Sequence, residues 1–234
     1  MRDDLESPTA GPESLYRARG DEVSPHRPIF SGDVFIGAEV YALSECKTKD
    51  IMLLQHPCSL RTNGIDLHPR LLVAELRRHK IIENWTGNTA NMPLAELLVA
   101  FTSNRRHQAA FFDELYFAGP DQVTPERRVA CLSPHGVNLL LQRWVFHNTR
   151  VVVPTPEFQK VSGGPYEEAD LTEEWVDERV DSGLEVRDAM GEALTWLREP
   201  VGSGLRRQDL LEDPQERSSI RRAMRSYLRS FGQG

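Results

Sequence analysis

Two short apolar runs, Ile51-Met52-Leu53-Leu54 and Leu71-Leu72-Val73-Ala74, limit what this chain can fold into more than any other feature. Neither alternates with polar residues. A four-residue apolar run without alternation, ended by Pro57 and later by Asn63-Gly64, predicts a strand buried on both faces. The connection between the runs opens with Gln55-His56-Pro57-Cys58-Ser59-Leu60-Arg61 and turns polar. It is dense in chemically able side chains, holding His56, Cys58, Arg61, His68 and Arg70 within a short span.

Around this hairpin the other elements follow from local pattern. Residues 1–27 are rich in Asp, Glu, Ser, Pro and Gly with few apolar anchors, which predicts a disordered tail. Ser31-Gly32-Asp33 is a turn signal. Residues 34–41 form a first strand by their β-branched and aromatic content, residues 51–55 a second and 70–77 a third. Residues 79–106 are mixed, with a short helix expected over 93–100, where Leu94, Leu97 and Leu98 share a face. Residues 109–117 and 127–132 complete a set of short strands that points to a small barrel or sandwich.

Ser133 then offers an N-cap and Pro134 a first helical position, with Val137, Leu140, Leu141, Trp144 and Val145 at helical spacing. That helix is expected to end near Asn148-Thr149 and to pack on the sheet. Ser162-Gly163-Gly164-Pro165 predicts a linker, followed by acidic helical patterns around Trp175-Val176 and residues 190–197. Asp213-Pro214-Gln215-Glu216 has the form of a capping box. The helix it opens carries Ile220, Met224, Tyr227, Leu228 and Phe231 on one side. Its arginines Arg221, Arg222, Arg225 and Arg229 are expected to meet carboxylates between residues 167 and 199, or to face a protein partner or a second copy through the 214–231 helix.

Composition removes several classes of function. No apolar run approaches the roughly 20 residues needed to span a bilayer, and the first residues lack the basic start and apolar middle of a signal peptide. A cytoplasmic protein without membrane contact is therefore expected. Three cysteines without CxxC spacing argue against a disulfide framework. The net charge of -7 argues against a uniformly basic surface, and the prevalence of arginine, 24 of the 28 basic residues, gives little weight to any single one. No phosphate loop, dinucleotide fingerprint, zinc-protease pair or nucleophile elbow is present, and no cofactor is expected.

The order strand, strand, strand, irregular segment, two strands, helix resembles the PemK-like (MazF-like) toxin fold, an SH3-like barrel. Gly32-Asp33-Val34-Phe35 looks like the opening of that fold's first strand. The apolar run at 51–54 looks like its second, and the polar turn with Cys58 looks like the turn that follows. The resemblance spans about residues 28–150. It implies a β-rich α+β chain: a disordered tail over 1–27, a barrel with its packing helix over 28–156 and a helical extension over 157–234. In the toxin family the implied chemistry is metal-independent RNA cleavage, with an arginine steadying the phosphate and a polar group assisting the 2′-hydroxyl. This chain departs from that pattern. Lys49-Asp50 stands where the toxins have Arg-Pro, and Glu75-Leu76-Arg77-Arg78 stands where they have threonine or serine.

Three kinds of site are open to the hairpin loop. A phosphate-handling site would use Arg61 or Arg70 as the cation and His56 or His68 as the proton carrier, with Arg61, Arg70, Arg77 and Arg78 along a nucleic acid. A zinc site would join His56 and Cys58 to Cys131 and His135, although buried free cysteine commonly serves as a small hydrophobe. Cys58 activated by His56 would be a nucleophile only if exposed and of lowered pKa. The expected function is that of a PemK-like barrel protein, non-catalytic or cryptically catalytic. It would bind nucleic acid or protein in a mobile-element, toxin or defence setting, and the alternative is a metal-independent endoribonuclease.

Overall fold

The structure, a computed structural model, describes residues 5–8, 10–42, 45–79, 85, 89–95, 97, 108–202 and 204–231. Both apolar runs lie in the centre of one antiparallel sheet. Strands β1 (Tyr16–Arg19), β2 (Val34–Ala42), β3 (Glu45–Leu53), β4 (Leu71–Arg78), β5 (Asn91–Leu94), β6 (Gln108–Ala118) and β7 (Arg128–Leu132) lie in the order β1-β7-β2-β3-β4-β6-β5 among the described residues. β3 pairs with β4 through Ile51↔Glu75 and Leu53↔Val73. β2 also meets β6 over Val40↔Ala118 and Tyr41↔Phe117, so β2, β3, β4 and β6 are linked in a ring of pairings.

The lack of alternation in the apolar runs has a direct cause, because both faces of these strands are covered. Ile51 and Leu53 turn to an inner cluster with Phe35, Val40, Val73 and Tyr116. Met52 and Leu54 turn to the opposite face, against Val34, Ala74, Phe112 and the helices. Successive residues of a strand point to opposite sides, so two covered faces require an unbroken apolar run. In β2 the register shifts between Phe35 and Ala38, and both of these residues reach the inner cluster. The intervening Gly37, at φ 61°, accommodates the extra residue as in a β-bulge.

Helix α1 (Pro134–Thr149) starts as expected, since Gly136 N–H donates to the Ser133 hydroxyl at 3.0 Å. Val137, Leu139, Leu140 and Leu141 seal the outer face of the sheet. Helices α2 (Thr155–Asp181), α3 (Val186–Arg198), α4 (Arg207–Leu210) and α5 (Arg217–Phe231) follow. Trp175 of α2, Trp196 and Leu197 of α3, Leu211, and Ile220, Met224 and Leu228 of α5 make a third core. Arg221 pairs with Glu167 at 2.6 Å and Glu174 at 2.7 Å, and Arg225 also pairs with Glu174. The α5 stripe thus docks on the acidic helix, with Tyr227 stacked on Trp175 at 5.7 Å.

Four expectations require correction. The first is the disordered tail over 1–27: in its described part, Leu5 and Leu15 are buried and β1 pairs with β7. Its polarity is engaged rather than solvated, because Arg17 reaches Glu173 at 2.7 Å, Arg27 reaches Asp170 and Glu173, and His26 meets Asp177 at 2.6 Å. The second is the linker at 162–165, through which α2 runs unbroken. Ser162 and the two glycines are buried there, and their small size forms a notch. Ser162 donates to Asn138 of α1 at 2.7 Å, and a Cβ on Gly163 would stand 2.7 Å from the Arg217 guanidinium.

The third correction concerns the helix over 93–100. Pro93 and Leu94 belong to β5, an edge strand where proline removes no needed ladder bond, while residues 96 and 98–100 lie outside the described residues. The fourth is the capping box at 213–216. Asp213 accepts from Gln215 N–H at 2.9 Å, but Glu216 bonds Ser219 and α5 begins at Arg217. The division at 156/157 falls inside a continuous unit. Tyr166 and Ala169 of α2 sit in the core of the sheet, and Leu171 and Trp175 of the same helix sit in the helical core. β1 and β5, the outermost strands among the described residues, are four residues each; β1 carries a register irregularity between Tyr16 and Ala18, and β5 contains Pro93.

Candidate functional site

The β3–β4 connection is held by its own hydrogen bonds. His56 begins a 3-10 turn at Pro57–Ser59, its Nδ1 accepting from Cys58 N–H at 3.3 Å while Ser59 N–H donates to the His56 carbonyl at 2.9 Å. Asn63 Oδ1 receives the amides of Ile65 and Asp66 at 2.9 and 2.8 Å, in an Asx-type turn completed by Gly64 at φ 95°. Leu60 plugs the inner core beneath. The loop is tied to α3 by Arg187–Asp66 at 2.7 Å and by an Arg198 bond to the Asn63 carbonyl at 3.1 Å. Between loop, α2 and α3 lies a cleft of about 410 Å³, walled by Phe30, Cys58, Arg61, Glu168, Met190 and Leu194 among others.

Of the four residues expected to share phosphate chemistry, Arg61 alone lines this cleft. Its Nη2 donates to the Ile29 carbonyl at 2.9 Å. Burial draws its pKa below the ordinary arginine value, against the opposing pull of Glu168 and Asp33. His56 is held as a turn cap, and burial lowers its pKa, favouring the neutral ring. His68 contributes its amide to the Leu60 carbonyl at 2.9 Å, and Arg70 is exposed at the far end of the loop. Arg77 is spent on Glu75 at 3.2 Å and Glu114 at 2.8 Å, and Arg78 is exposed at the end of β4.

His56 and Cys58 adjoin in the turn, but the four residues of the zinc reading do not form one cluster. Cys58 is exposed in the cleft, Cys131 is buried beside Asp33, and His135 sits in the first turn of α1. Among the described residues no group of three or more His, Cys, Asp or Glu is arranged to hold a metal. Burial, with Glu168 and Glu212 nearby, raises the Cys58 thiol pKa, which disfavours the thiolate a nucleophile needs.

Two polar clusters were not anticipated. Glu75, on the inner-core side of β4, accepts from Lys49 Nζ at 2.9 Å, Arg77 Nε at 3.2 Å and the Tyr116 hydroxyl at 3.3 Å. Burial alone would raise its pKa, but the bonds from Arg77 and Lys49 leave it below the ordinary glutamate value. It is thus a poor proton acceptor at neutral pH. The sequence signal was a carboxylate inside the apolar run of β4, since Glu is seldom buried unless paired. The second cluster centres on Asp33, which accepts from Phe30 N–H and from Arg128 at 3.0 Å each, while Arg128 also donates to the Ser24 and Arg27 carbonyls. No protein-family model matches the chain, and no curated protein matches it significantly.

Proposed function

We propose that this chain is a non-catalytic interaction module built on a PemK-like, SH3-like barrel. The observation that carries the reading is the occupation of the side chains that hydrolysis would require. His56 caps a turn and Arg77 is neutralised by two carboxylates. The ring of pairings through β2, β3, β4 and β6 supports the barrel reading. A nucleic-acid or protein partner would meet the outer side of α5, where Arg222 and Arg229 are exposed and border a shallow depression with Ser218. The toxin or defence setting and a cytoplasmic location belong to the same proposal; no helix among the described residues is long and apolar enough to cross a membrane.

The test is incubation of the wild-type protein with RNA and DNA oligonucleotides at two salt concentrations, beside His56→Ala and Arg61→Ala. The expected result is no cleavage, with any binding weakened by salt as phosphate contacts require and lost in Arg222→Glu/Arg229→Glu. Cleavage of RNA by the wild type that both His56→Ala and Arg61→Ala abolish would overturn the reading in favour of a metal-independent endoribonuclease.

A further inference from the structure

The cleft beside the β3–β4 connection combines three features that belong together in a small-molecule site. It has a volume of about 410 Å³, within the range of roughly 300–1,000 Å³ typical of ligand pockets. One part of its wall is apolar, from Phe30, Pro57, Met190 and Leu194, and the rest is polar. Two cations, Arg61 and Arg198, border it, and the partly exposed Arg61 has no carboxylate within ion-pair distance among the described residues. Glu168 and Asp33 attract it only from beyond ion-pair distance, so an anion in direct contact would gain a charge-assisted bond that neither of them makes. The single bond to the Ile29 carbonyl leaves most of the guanidinium's five donors unused.

We propose that this cleft binds a small carboxylic acid with an apolar body, its carboxylate received by Arg61. The planar fork of a guanidinium matches a carboxylate in two parallel hydrogen bonds. Glu168 sets the limit on ligand charge. It borders the same space and is held by Gln208 Nε2 at 2.8 Å. With Arg61 and Arg198 set against Glu168 the lining carries one net positive charge, which a monoanion balances and a phosphate dianion exceeds. Arg198, bonded to the Asn63 carbonyl on the rim, adds attraction for the same sign of charge. This site shares no lining residue with the depression on the outer side of α5.

The experiment is thermal unfolding of the full chain with benzoate as the probe, at ionic strength held constant with chloride. Benzoate is expected to raise Tm saturably in the wild type, since a ligand that binds only the native state stabilises it by mass action. Inorganic phosphate at the same ionic strength is expected to give a clearly smaller shift. Arg61→Met, which keeps an unbranched chain and removes the charge, loses the benzoate shift. Met190→Trp, which fills the α3 wall without altering Arg61, loses it too and decides the matter if Arg61→Met does not fold. Arg70→Met, on the same loop but outside the cleft, keeps it. Absence of a benzoate shift in the wild type, an equal shift with phosphate, or a shift that survives both cleft substitutions overturns the proposal, as does its loss in Arg70→Met.

Discussion

Arg128 and Asp33 meet at 3.0 Å with their side chains 0% and 2% exposed, so neither charge has water to fall back on. Removing one partner strands the other, at a cost of about 3–5 kcal/mol. Asp33→Ala is therefore expected to lower stability by that amount in urea unfolding, whereas the double change Asp33→Leu/Arg128→Met recovers most of it. The Gly-Asp-Val opening of β2 is thus explained by the fold itself: Asp33 holds the Phe30 amide and Arg128, and Gly32, at φ 86°, adopts a backbone that leaves Leu132 room. Glu75 gives a pH prediction. Its native pKa is depressed, so its contribution to stability is complete above the ordinary glutamate range and is lost as pH falls through the lower native value. Glu75→Gln is expected to flatten the acid limb of a stability–pH curve, and an unchanged limb would show that the Lys49 and Arg77 bonds do not hold in solution.

The helices offer a paired comparison. Gly164 lies inside α2, and a Cβ there would meet Glu212 at 3.5 Å, an ordinary contact. Gly164→Ala is expected to stabilise the protein by about 1 kcal/mol through helix propensity. Gly136, in the first turn of α1, stands against the Leu15 carbonyl, which already accepts the Ser133 amide at 2.8 Å. Gly136→Ala is expected to do the reverse and lower Tm, because a backbone carbonyl cannot swing aside. The strands over 34–41 and 70–77, the apolar half of β3 and the Ser133 cap were legible because each depends on neighbouring residues, apolar in the strands and polar at the cap, whereas the polar half of β3, Glu45 to Asp50, reads as a connection until its pairing with β2 is seen. β1 and the passage of α2 through Gly163-Gly164-Pro165 were not, because they depend on distant partners: Leu132 and Ala130 for Tyr16 and Arg19, and Asn138 and Arg217 for the α2 notch. Arg61 was legible as a loop cation. Its cleft was not, since Glu168, Met190 and Leu194 come from helices far along the chain.

In the whole molecule, α2 joins two cores and α5 closes the second. Deleting residues 214–234 uncovers Trp175, Trp196 and Leu211, which are 1%, 3% and 0% exposed. The shortened chain is expected to show red-shifted tryptophan emission and a lower Tm; retention of the wild-type melting curve would mean that α5 does not dock as described. The Arg221 and Arg225 pairs with Glu174 are open to solvent, which screens them, so the buried Ile220, Met224 and Leu228 dominate that attachment. The brevity of β1 and β5 bears on the protein at high concentration. Among the described residues, a neighbouring molecule seeking to extend the sheet finds four residues on either flank, one stretch out of register and the other interrupted by a proline that donates nothing. Flanks that are short, irregular or proline-bearing disfavour the edge-to-edge pairing from which fibres grow.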